Sequence, residues 1–193
     1  MSSHHIVRDR QEPALLVLSL EGFNEEYLGQ LLEWSPLVFS VLAEAEKLHV
    51  MGIKIDSVFV EKDDVSPLNS FQEHTELVKL SHLNVPNTIQ FLINEGFPAI
   101  NIIGSVETLS LLLPFTRIID LVLFTAATKW FPVNNVLEKW YRKGEDLVVF
   151  SGEGSSIKLS NSASVGNNRF VTLCEGIVTI EAGNKPIFVG ENL

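Results

Sequence analysis

Short apolar runs alternate with helical stretches between Ala14 and Phe124, and no helical stretch follows Val136. Such alternation builds a parallel sheet covered by helices on both faces, while short strands separated by turns build an antiparallel sandwich. The expected fold is therefore α/β: an N-terminal Rossmann-like, three-layer parallel-sheet domain, then a small all-β sandwich or barrel-like domain. The boundary is placed between residues 135 and 136, giving units 1–135 and 136–193.

The first unit reads in order. Residues 14–19 form a buried strand. Asn24 then caps a helix, with Glu25 and Glu26 in its first turn and Phe23 set to pack on Leu28. Ser35-Pro36 ends that helix. Strand Leu37–Val41 follows, then a helix from about Ala43 to Met51 that Gly52 stops in the left-handed conformation. A strand is expected over Ile53–Val60, and a shorter one around Val78 and Leu80. Pro86 opens a helix that Gly96 closes. Ala99–Ile103 and Asp120–Phe124 are strands, with a short apolar helix over 106–115 between them. Residues 125–135 read as a connector, in which Trp130 and Phe131 pack as core or interface. Beyond it, strands are expected over 147–150, 170–173, 177–180 and 187–189, with residues 151–168 as a Gly/Ser/Asn-rich loop.

The net charge of −10 argues against nucleic acid or an acidic membrane as a partner, since attraction to phosphate needs positive potential. No apolar run reaches the length of a membrane span and no signal peptide is evident, so a cytoplasmic location is expected. The single cysteine, Cys174, permits no internal disulfide and is expected to be a small buried hydrophobe. His4, His5, His74 and His82 have no ligand spacing.

The chain has no GxxxxGK[ST] loop, no GxGxxG after the first strand and no GxSxG elbow. One acidic stretch, Glu61-Lys62-Asp63-Asp64, falls at the carboxyl end of an expected parallel strand, where α/β sheets place their ligands. Glu61, Asp63 and Asp64 are the candidate hard-oxygen metal ligands, and a solvated acidic turn is the plainer reading.

The segments EPALLVL, LGQLLEWSPLV, GIKIDSV, VSPL, FLINEGFPAINI, NNVLEKWYRKG and EGIVTIE, taken in this order, resemble those of bacterial thiamine pyrophosphokinases over nearly the whole chain. The resemblance implies an α/β domain followed by a β-sandwich, a homodimer, and Mg²⁺-dependent transfer of pyrophosphate from ATP to thiamine. Its site motifs are degenerate in this sequence. Leu42-Ala43-Glu44 stands where the family has Asp-Gly-Ala. Val60 to Asp64 stands for Gly-Asp-x-Asp-Ser, keeping only Asp63 outright. Ser81-His82-Leu83-Asn84 stands for Asp-Lys-Thr-Asp or Gln-Lys-Thr-Asp, and Gly104 to Leu113 lacks the family's Arg and Asp-His. Of the family's thiamine-side Ser-Asn pair, only Asn167 is matched, with Gly166 in the serine position.

Pyrophosphoryl transfer needs a metal and positive groups to hold the triphosphate and neutralise charge developing in the transition state. Losing Asp at 42, and Lys and Asp across 81–84, removes both. The resemblance thus implies a thiamine-pyrophosphokinase-like protein that has lost catalysis, with no cofactor; Mg²⁺ and ATP enter only if the transfer is retained. An active kinase rebuilt around Glu61, Asp63 and Asp64 is one alternative. A sensor of thiamine or another small molecule on the same scaffold is the other.

Overall fold

A computed structural model gives the fold and describes residues 12–62 and 74–193. Six strands make the parallel half: β1 (Ala14–Val17), β2 (Val38–Val41), β3 (Ser57–Glu61), β4 (Glu76–Leu80), β5 (Ala99–Ile103) and β6 (Asp120–Phe124). They lie in the order β6-β5-β1-β2-β3-β4. Successive strands run outward from β1 on one side and return through β5 on the other, so the topological switch point lies between β1 and β5.

Strand alternation sends side chains to two faces. Leu16, Ile100, Ile102, Leu121 and Leu123 meet Ile89 and Leu92 of helix α3 (Val85–Asn94), and Leu109 and Leu112 of α4 (Thr108–Leu112). Leu15, Val17, Val58, Val60 and Ile103 meet Leu28 of α1 (Glu25–Leu32), and Ala45 and Leu48 of α2 (Leu42–Val50), on the other face. This is the expected three-layer α/β arrangement. Its local signals act as read. Asn24 accepts a hydrogen bond from the Glu26 amide at 2.7 Å, Phe23 joins the cluster around Leu28, and Gly52 has φ of +73°.

The second half consists of β7 (Thr128–Val133), β8 (Val136–Tyr141), β9 (Asp146–Ser151), β10 (Ile157–Leu159), β11 (Ser162–Gly166), β12 (Arg169–Thr172), β13 (Gly176–Ala182) and β14 (Ile187–Asn192). Sheet β10-β13-β8 packs over β7, β9 and β14 around Val133, Tyr141, Leu147, Val178, Ile180 and Ile187. Those strands do not form a separate second sheet. β7 pairs antiparallel with β6 through Leu123↔Trp130 and Phe124↔Lys129, so β11-β12-β9-β14-β7 continue the parallel strands in one eleven-stranded sheet. Trp130 is buried at this join with Phe188 and Leu123.

Four expectations are corrected. The strand after Gly52 begins only at Ser57, because Asp56 is used to accept a hydrogen bond from the Val38 amide at 2.9 Å. Residues 125–135 are not a connector, since β7 occupies most of them. The 151–168 segment holds two short strands, β10 and β11. Cys174 is exposed in the turn between β12 and β13, where its thiol donates to the Asn161 side-chain oxygen at 2.7 Å.

Candidate functional site

The carboxyl ends of β1, β5 and β6 open onto a crevice of about 420 Å³ at the switch point. The main chain shapes it. The Leu18 amide donates to Ile103 O at 2.8 Å and the Gly104 amide to Phe124 O at 3.0 Å, holding the three strand ends together where the chains turn off into the crevice walls. Ser19, Ser105, Thr125 and Thr128 offer hydroxyls to the crevice, and Glu21 and Glu107 offer carboxylates. The Ser105 side chain, and then the backbone amide of Glu107 itself, hold the Glu107 carboxyl below the ordinary carboxylate value. Among the described residues no Lys or Arg lines the crevice.

Glu44 lies beside it and was not singled out as functional from sequence. It is 7% exposed, accepts from the Leu20 amide at 3.2 Å, and binds Lys47 through both oxygens at 2.9 Å. Lys47 is thus already paired, and the carboxylate ties the first turn of α2 to the chain leaving β1. The signal was the acidic third residue of a helix starting directly from a strand, where a carboxylate meets unpaired amides.

The sequence-predicted residues fall along the same edge of the sheet. Leu42 is the first residue of α2, where β2 ends, and Glu61 is the exposed last residue of β3. Ser81 and His82 are exposed just beyond β4. Asn84 caps α3, its side chain accepting from the Asn87 amide at 2.9 Å. Asp63 and Asp64 lie outside the described residues.

Asn167 lies elsewhere. With Asn168 it forms the two-residue turn between β11 and β12, at φ of +50° and +58°. Two successive left-handed residues make a type I′ hairpin turn, which favours Asn at both places. Seven strands separate β12 from β3. At the usual strand spacing this is roughly 35–40 Å along the sheet. One chain therefore does not bring Asn167 to Glu61.

A divalent cation needs several converging oxygens. Among the described residues no three His, Cys, Asp or Glu side chains form such a group. Glu61, the one candidate ligand described, is too small a donor set for Mg²⁺.

No family model matches the chain, and no curated protein matches it. Solved structures do. The thiamine pyrophosphokinase of Bacillus subtilis superposes with a TM-score of 0.64 over 94% of this chain and 99% of its own, at 12% identity. The enzyme from Candida albicans gives 0.68 over 94% and 90% of the two chains, at 11% identity, and that from Geobacillus thermodenitrificans 0.67 over 94% and 98%, at 9%. The chain has the thiamine pyrophosphokinase fold. At these identities the likeness covers the course of the backbone through both halves. The thiamine pyrophosphokinase fold thus accounts for the continuous sheet and the sandwich, while the side chains at its strand ends are this chain's own.

Proposed function

We propose that this protein is a catalytically silent thiamine-pyrophosphokinase-like protein, cytoplasmic and homodimeric, divided into units 1–135 and 136–193. One observation carries the reading: among the described residues the strand-end crevice is lined by hydroxyls and carboxylates without a cation, on the same edge of the sheet as Leu42 and a helix-capping Asn84. A triphosphate entering it would meet Glu21 and Glu107, and Glu44 already holds Lys47. Losing a single strong transition-state donor costs about 3 kcal/mol, a hundredfold or more in rate. Here the residues that would grip phosphate are replaced together. The crevice suits a neutral or cationic ligand that takes hydrogen bonds from Ser and Thr, which keeps thiamine as a candidate.

Glu61 at the end of β3, with Asp63 and Asp64 next in the sequence, is the one feature favouring a retained kinase. Calorimetric titration with thiamine, and separately with ATP and Mg²⁺, decides between the two. Thiamine heat without nucleotide heat, and no AMP release, is the expected result. Binding of both followed by AMP release would overturn the proposal.

A further inference from the structure

A second hollow, about 970 Å³, lies on the α1 face of the sheet and shares no lining residue with the strand-end crevice. Helices α1 and α2 cover this face of the parallel half, leaving β5 and β6 beside α1 open to the hollow. Parallel strands are ordinarily covered on both faces by apolar packing. The register aligns Val38, Leu15, Asn101 and Val122 across β2, β1, β5 and β6. Asn101 thus places an amide in an otherwise apolar row, in the middle of a central strand. Its side chain makes no hydrogen bond with another described residue. Asn101 is only partly buried, so its amide is presented to whatever fills the hollow.

The walls supply what such an occupant needs. Tyr27 and Trp34 stand along α1 and the turn after it, Trp34 being 73% exposed, and Phe124 closes the floor with Lys129 over its ring at 5.9 Å. Gln30 adds a second amide. A side-chain amide presents one donor beside one acceptor, which matches the amino edge of adenine or cytosine. Aromatic rings stack on any base face. The rim carries Glu12 and Glu33 against Lys129, which disfavours an added phosphate. The volume lies in the range of small-molecule sites.

We propose that this hollow binds an uncharged, amino-substituted planar nitrogen heterocycle of the nucleoside type, stacked on Trp34 and read at its edge by Asn101. The full chain carrying Trp140→Phe, which removes the other exposed tryptophan, is titrated with adenosine, cytidine, AMP and 1,3,7-trimethylxanthine while fluorescence is followed. Adenosine or cytidine should quench saturably. Asn101→Leu completes the apolar row and should fold normally, yet weaken nucleoside binding by about tenfold or more, as expected when a polar partner is removed. It should leave trimethylxanthine, which stacks but has no donor edge, unchanged. Trp34→Ala should abolish the quench for all four. The proposal is overturned if neither nucleoside saturates below about 5 mM, a ceiling near −3 kcal/mol. It is equally overturned if Asn101→Leu or Gln30→Ala binds nucleoside as the parent does, if trimethylxanthine binds as tightly as adenosine, or if AMP binds more tightly than adenosine.

Discussion

Replacing Tyr141 by Phe removes one hydroxyl and leaves the ring. Tyr141 is 2% exposed on β8, and its hydroxyl donates to a carboxylate oxygen of Glu191 on β14. Lys139 donates to both oxygens of the same carboxylate at 2.6 Å and lies over the Phe131 and Tyr141 rings. The cluster clips the three-stranded sheet to the long one. A hydrogen bond to a charged group contributes about 1.5–3 kcal/mol. Lys139 remains on Glu191 in the variant and the carboxylate touches solvent, so the lower end, about 1.5 kcal/mol, applies. For a chain of this size that lowers the melting temperature by about 3–6 °C. The pH dependence is the sharper test. Burial first, then the hydrogen bond to Glu191, raises the Tyr141 phenol above its ordinary value of 10. Below that pH both folded and unfolded chains hold the proton, and the full difference between wild type and variant is present. As pH rises above it, the unfolded wild type sheds the proton first and is favoured, so the gap narrows. Lys139 and Glu145 face the same cluster but are common to both proteins, and largely cancel in the difference. Urea midpoints followed by tryptophan fluorescence at about pH 7 and about pH 10.5 measure it, bracketing the ordinary phenol range. No gap at neutral pH, or a gap that widens in alkali, would refute the reasoning.

Gly190 on β14 faces Trp130, and a methyl group there would fall 2.7 Å from Thr128 Cγ2 and 2.9 Å from the indole. Gly190→Ala should therefore cost about 1–3 kcal/mol by overpacking the join between the two halves, read as a lowered urea midpoint. Asn84→Ala should cost about 0.5–2 kcal/mol by uncapping α3, whereas Asn84→Asp should hold stability. Equal losses from both would show that the side chain does not act as a cap.

The parallel half was legible because its residues obey two periods at once. Ala99–Ile103 and Asp120–Phe124 were placed to the residue, since each is a short apolar run between a helix and a turn. β7 was missed because TKWFPV carries a lysine and a proline. Lys129 reaches over the Phe124 ring, and Pro132 lies past the two residues that pair with β6. β8 was missed because VLEKWY does not alternate: Glu138 and Lys139 stand together between two apolar pairs. Its lysine turns inward only because Glu191, far off in sequence, waits there. Cys174 misled because its apolar neighbour Leu173 is itself exposed in the turn. At the site, strand-end positions could be named, yet Glu44's partners and the hollow beneath Trp34 come from elements that only the folded sheet brings together.

The last strand, β14, lies between β9 and β7 in the middle of the long sheet. Emerging chain can assemble the six parallel strands early, but the gap between β7 and β9 stays open until residues 187–192 arrive. Until then two neighbouring strands present bare ladders, a template for another chain. Closure of that slot joins segments far apart in sequence, which makes it a slow step. The protein should thus be most prone to aggregate before residues 187–192 have emerged, and a factor that shields the vacant slot should raise the yield of native protein more than one acting on the helices.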